Sequence, residues 1–235
     1  MCRLLGVLAR EAGPLRTYLV DAPHGLHAMS LRGANAPHRD GVGWAYRDDR
    51  GRMRVQRWGR RALTGHADLP GDLAPRTTLL LAHARKASPE YAALVGALYA
   101  QPLVQDGIFL AHNGTIRTAV GTGGGTDSQR LLGWLVEAWQ PRDVVRLAEA
   151  LRSLLRLVRD YTALNLLLSD GRSLAALRQY ATDPEYYTLW WRADADAVTV
   201  ASERTDGRPG WQALRNGELL WVEPGLEVSR LLVAP

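Results

Sequence analysis

The chain has 235 residues, 46% of them hydrophobic, with a formal net charge of +5 and one cysteine. That length and apolar fraction suit a single domain over residues 1–235; the lone cysteine excludes an internal disulfide, and neither a leader pattern nor an apolar run of bilayer length is present, so a cytoplasmic protein with no membrane partner is expected. The positive charge raises nucleic acid as a partner, but Lys86 is the only lysine and the arginines are scattered among acidic residues, with no basic run interleaved with aromatics, so nucleic acid is not expected.

Leu4 to Ala9 is a short apolar run that predicts a buried strand, and Gly13-Pro14 breaks it. Residues 14–33 show no clean period. Residues 42–46 and 53–58 alternate apolar and polar around a turn-rich segment and predict a hairpin. Residues 60–76 read as a Gly/Pro-punctuated loop. The compact runs at 77–83 and 108–112 predict two more strands. A glycine-rich loop at 120–126 leads into Thr126, with Gln129 three residues on, the pattern of a capping box. The helix it opens is expected to end near Trp139. Pro141 is expected to start a second helix, with Val144, Leu147, Leu151, Leu154, Leu155 and Val158 on one face. Short strands are then expected at 164–168, 174–180, 186–192, 197–201, 219–222 and 226–233, separated by turns such as Ser169-Asp170-Gly171 and Asn216-Gly217. Strands, two helices and strands again indicate an α+β protein.

Cys2 is the chemically distinctive residue. Removal of Met1 would leave it with a free α-amine, of pKa roughly 8, beside a thiol of roughly 8.5. Such a residue carries its own general base. The expectation is that the mature chain begins at Cys2 and that a chain retaining Met1 is inactive. The plain alternative is an accidental cysteine on a mobile terminus. Four other stretches carry chemically capable side chains: His38-Arg39-Asp40-Gly41, His83-Ala84-Arg85-Lys86-Ala87-Ser88, His112-Asn113-Gly114-Thr115 and Thr126-Asp127-Ser128-Gln129. Singly, each has an ordinary explanation. Asn-Gly is a common hairpin turn, and an acid in the first turn of a helix answers the helix dipole. His38, His83 and His112 lack the spacing of metal-ligand pairs, so no metal is expected.

Taken in order, MCRLLG, HRDGVG, LAHARKAS, AQPL, LAHNGT, TDSQ, LNLLLSDGR and VASERTD resemble the class II glutamine amidotransferases, which are N-terminal-nucleophile hydrolases. The similarity is greatest to their small stand-alone members, such as the γ-glutamyl hydrolases of ergothioneine biosynthesis. The resemblance implies a four-layer αββα sandwich and no cofactor. It implies Cys2 as nucleophile, with the Asn113 side chain and the Gly114 backbone N–H receiving the oxyanion. It further implies Arg85 for the substrate α-carboxylate, helped by the Ser88 hydroxyl, and Asp127 for the α-ammonium. Arg39 matches a family arginine near the nucleophile, although the motif here reads His-Arg-Asp-Gly where many relatives have His-Arg-Gly.

The expected reaction is hydrolysis of a γ-glutamyl amide, glutamine or a γ-glutamyl compound, through a Cys2 thioester. Passing the released ammonia to an acceptor would make the protein an amidotransferase; release of a larger amine would make it a γ-glutamyl hydrolase. With the chain ending just after a strand, the expectation leans to a hydrolase or to a subunit that works with a separate synthase. The leaving amine and a homo-oligomeric state stay open. The rival is a non-catalytic module of degenerate fold that binds a γ-glutamyl ligand or a partner protein.

Overall fold

The computed structural model describes residues 2–60, 69–121 and 125–234. Met1, most of the expected 60–76 loop (residues 61–68) and the tip of the 120–126 loop (residues 122–124) therefore lie outside the described residues. The elements in chain order are β1 (Arg3–Pro14), α1 (Leu26–Arg32), β2 (Gly41–Arg47), β3 (Met53–Gly59), β4 (Arg76–Arg85), β5 (Leu103–Gln105), β6 (Ile108–Asn113), α2 (Asp127–Ala138), α3 (Val144–Leu157), β7 (Asn165–Ser169), β8 (Leu174–Arg178), β9 (Trp190–Ala193), β10 (Ala197–Ala201), β11 (Gln212–Ala213), β12 (Glu218–Val222) and β13 (Val228–Leu232). A single π-helical turn, Thr17–Asp21, precedes α1.

The strands form two antiparallel sheets, ordered β11-β9-β10-β1-β4-β2-β3 and β13-β12-β8-β7-β6-β5. Side chains alternate across a strand, and here both faces of each sheet are apolar. Leu4, Leu8, Leu79 and Leu81 of the first sheet meet Phe109, Ala111, Leu167, Leu174 and Leu220 of the second in one buried cluster. The intervening residues Leu5, Val7, Leu80 and Ala82 face the other way, onto Leu19, Leu26 and Met29 of the π-helical turn and α1. On the far side, Leu110, Leu166, Leu168 and Leu177 pack against Leu131, Leu135, Leu147, Leu151 and Leu154 of α2 and α3. The layers are helix, sheet, sheet, helix: an α+β, αββα sandwich. No helix among the described residues is long and apolar enough to cross a membrane.

The expected hairpin is present, with β2 and β3 paired from Gly41–Gly59 to Arg47–Met53. The capping box is also present: Gln129 N–H donates to Thr126 Oγ1 and Thr126 N–H to Gln129 Oε1. Elsewhere the boundaries move. Residues 14–33 hold helical pieces; Leu15, Leu19, Leu26 and Met29 are the helical face, interrupted by Pro23 and Gly25. The second long helix starts at Val144, because Asp143 caps it by accepting from Arg146 N–H at 2.8 Å. The strand expected over 186–192 begins only at Trp190, since Tyr187 N–H closes a turn onto the Asp183 carbonyl at 3.0 Å. β1 runs on to Pro14 through a register shift between Leu8 and Gly13.

Candidate active site

Antiparallel pairing of β1 with β4 sets Arg3 opposite Ala84, so the start of β1 lies beside the end of β4. In the facing sheet β6 ends at Asn113. Cys2 bridges the two sheets here: its backbone N–H donates to Asn113 Oδ1 at 2.8 Å. Its thiol is buried, with Sγ 3.7 Å from the Lys86 carbonyl oxygen. Cys2, Arg85, Ser88, Gly114 and Asp127 all line one narrow cleft, of about 30 Å³, room for roughly one water. Six of the seven residues expected from the sequence are thus brought together. Arg39 is not among them. His38 before it is buried, whereas Arg39 is exposed and lines a separate groove with Ala22, Pro23 and Leu31.

Two donors near Cys2 have no partner among the described residues. Asn113 spends Oδ1 on the Cys2 N–H, which leaves its Nδ2 without a partner among the described residues. Gly114 follows at φ +150°, in a backbone conformation that favours glycine. A Cβ at this position would lie 1.9 Å from the Ala163 carbonyl oxygen. The Asn-Gly pair is therefore not a hairpin turn: the chain leaves β6 here and presses its backbone against the strand entry at Ala163. The Gly114 N–H also makes no hydrogen bond among the described residues.

Two opposite charges are buried in the same cleft. The Arg85 guanidinium donates to the carbonyl oxygens of Leu94 at 2.6 Å and Tyr91 at 3.4 Å. The Asp127 carboxylate accepts from the backbone N–H groups of Ile116 and Ser128, each at 2.8 Å. Neither has an ionic partner among the described residues, although buried charges are ordinarily paired. The cleft thus offers a planar cation and a carboxylate, each with its position fixed by the main chain.

Several lining residues had not been assigned from the sequence. His112 Nε2 faces the Ala163 carbonyl at 3.2 Å, so that nitrogen carries the proton and Nδ1 accepts from the Ser128 hydroxyl at 2.9 Å. Gln101 ties this pair together, accepting from His112 N–H at 2.6 Å and donating to Ser128 Oγ at 3.2 Å. Both Gln101 and Ser128 belong to motifs that carry the resemblance, but only their packing reveals the network. Burial pushes the Cys2 thiol up, and the charges of Arg85 and Arg3 work against it. Burial likewise holds His38 and His83 neutral, with pKa values lowered to about 3.

The fold and this cleft define a class before any particular relative is considered: an antiparallel αββα sandwich with a cysteine at the start of an inner strand. The family profile described as "Glutamine amidotransferases class-II" matches residues 1–190. The chain belongs to the class II glutamine amidotransferases. Among solved structures it resembles the glutamine phosphoribosylpyrophosphate amidotransferase of Bacillus subtilis, solved with ADP and GMP (TM-score 0.66, 19% identity, 99% of this chain and 49% of that one). It spans about half the length of that relative. It also resembles a glutamine aminotransferase class-II domain protein of Silicibacter pomeroyi (TM-score 0.61, 19% identity, 100% of both chains). A third match is a Pseudomonas aeruginosa protein titled a predicted glutamine amidotransferase (TM-score 0.63, 22% identity, 97% of this chain and 99% of that one). No curated protein matches the sequence.

Proposed function

We propose that the protein hydrolyses a γ-glutamyl amide through a thioester on Cys2. The observation that carries this reading is the coincidence, in one cleft, of the Cys2 thiol, two unspent donors beside it and a buried Arg85–Asp127 pair without ionic partners. With Met1 removed, the α-amine of Cys2 takes the thiol proton and the thiolate attacks the γ-carbonyl carbon. The oxyanion that forms is received by Asn113 Nδ2 and Gly114 N–H, two donors held beside Cys2, as such an ion requires. The amine then returns the proton to the leaving nitrogen as the C–N bond breaks. Water attacks the thioester, restores the thiol and releases glutamate.

The head group is read by charge. Arg85 suits the α-carboxylate, because a guanidinium donates two parallel hydrogen bonds to such a group. Asp127 suits the α-ammonium, and Ser88 stands on the same wall as Arg85. With either substrate charge missing, one buried protein charge would stay unpaired, which disfavours amides lacking the amino-acid head. Ammonia leaving from glutamine could equally be delivered to a separate synthase subunit; the chemistry at Cys2 is the same.

The test is release of glutamate from glutamine and a panel of γ-glutamyl amides, using protein whose mass shows that it begins at Cys2. Wild-type protein is expected to release glutamate, and Cys2→Ala to release none while keeping its thermal midpoint. Protein extended by an uncleavable residue before Cys2 is expected to be inactive, since an amide nitrogen is not basic near neutral pH. Wild-type turnover from the Ala variant would overturn Cys2 as the nucleophile, and no glutamate release from wild-type protein would favour a binding module.

A further inference from the structure

One charge beside the cleft takes no part in the mechanism above. Arg3 is fully buried. Its Nη1 donates to the Cys2 carbonyl oxygen at 3.0 Å and its Nη2 to the Ala34 carbonyl oxygen. Nε lies 2.8 Å from Glu203 Oε1, and the Tyr186 ring covers the guanidinium with its centroid 4.5 Å from Cζ. Glu203 is itself held by His24 Nε2 at 2.6 Å and by the Ala34 N–H at 2.9 Å.

The neighbouring Ser202 continues the grip. Its Oγ accepts from Leu4 N–H at 2.9 Å, and its own N–H donates to the Leu4 carbonyl at 3.0 Å. The β1–β10 ladder begins only at Leu5–Ala201. Cys2 thus stands beyond regular pairing on that side, and the Ser202-Glu203 segment takes over where the ladder stops. An ion pair that served the fold alone would need only Glu203. The additional bond from Arg3 to the Cys2 carbonyl sets the peptide plane of Cys2 and brings the Glu203-paired guanidinium alongside it.

We propose that Arg3, anchored by Glu203, is the positioning residue of the nucleophile: it fixes the Cys2 carbonyl, and with it the directions of thiol and α-amine, and its charge favours the thiolate. This occupies the place that the sequence resemblance assigns to Arg39. It rests on the thioester reading, but it can be tested without turnover.

Cys2 is the only cysteine, so alkylation by iodoacetamide, followed by intact mass, reports one thiol. The other groups around it are its own α-amine, Arg85 and Lys86 at the end of β4, His112 and Asn113 of β6, Asp127 of α2, His38, Glu203 and the Tyr186–Tyr187 pair; all are unchanged in the variants. In Arg3→Met the pH profile of alkylation is expected to move upward, slowing the reaction at pH 7 about tenfold, the effect of one pKa unit. In Arg3→Lys the profile stays near that of wild type, because the charge remains. The two-pronged hold on the Cys2 and Ala34 carbonyls is lost, so kcat for glutamate release falls while KM holds. A folded Met variant with the wild-type alkylation profile, or a Lys variant with wild-type kcat, would overturn the proposal. If the Met variant does not fold, the Lys variant decides. If wild-type protein turns over no γ-glutamyl amide, the functional reading fails while the alkylation comparison still decides the role of Arg3.

Discussion

Asn113 and Gly114 stand together at the end of β6, one fixed through its side chain and the other through its main chain. Gly114 approaches the Ala163 carbonyl as closely as it does only because it has no Cβ, which would collide there; any other residue would have to push the segment off the strand entry. Asn113 does two things at once, accepting from the Cys2 N–H through Oδ1 and leaving Nδ2 as a donor. On the proposed mechanism that acceptor would face the α-amine of Cys2, so one side chain would orient the base and receive the oxyanion. Asn113→Ala is expected to lower kcat by roughly 10²–10³, the usual cost of one such donor, with a much smaller change in KM. Steady-state kinetics on glutamine would check this. A change confined to KM would mean that Asn113 only shapes the end of β6.

The N-terminus of α2 lines the cleft and carries the acid to which the proposed function assigns the α-ammonium. Its capping box fixes Thr126 and Gln129 to each other, and the next two residues, Asp127 and Ser128, then point into the cleft. Thr126→Ala should cost about 1 kcal/mol of stability, read as a lower thermal midpoint. If Asp127 holds the substrate ammonium as proposed, the same change should also raise KM with little effect on kcat. A lower midpoint with unchanged KM would show that the bonds to Ile116 and Ser128 place Asp127 unaided. This helix was legible in the sequence because its signals are local: a cap, an acid in the first turn and a helical apolar face. The same holds for α3 and the β2–β3 hairpin. Legibility fails where the cause is distant. The 14–33 region has helical apolar spacing, but Pro23 and Gly25 cut it into pieces too short to show a period. β11 has two residues and exists only as a partner of β9. The six residues that motif order singled out besides Arg39 lie together in the structure, but motif order could not say that His38 turns inward and Arg39 outward, nor that a buried Arg3 stands beside Cys2.

At the scale of the whole molecule, closing the sandwich buries imidazoles without charging them. His83 projects from β4 towards the second sheet, where Nε2 meets the His112 carbonyl at 3.3 Å and Nδ1 has no partner among the described residues. His38 is fully buried, with Nδ1 3.3 Å from the Ser30 carbonyl and Nε2 likewise without a partner among the described residues. Both have pKa values lowered from 6.5 to about 3, chiefly by burial. A lowered value means that the unfolded chain binds these protons first. The stability this confers is complete above pH 6.5 and is lost as pH falls towards 3. Within that window each histidine contributes a slope approaching about 1.4 kcal/mol per pH unit. The carboxylates with lowered values, Glu203 and Asp206, begin from 4.5 and 3.8 and so act mainly at lower pH. Urea unfolding between pH 6.5 and 5 therefore reads the histidines. The wild-type unfolding free energy is expected to fall across this interval, and His83→Gln to fall less steeply, by close to one proton's worth of slope. Equal slopes would mean that His83 is protonated in the folded protein and that the two sheets admit a charge between them.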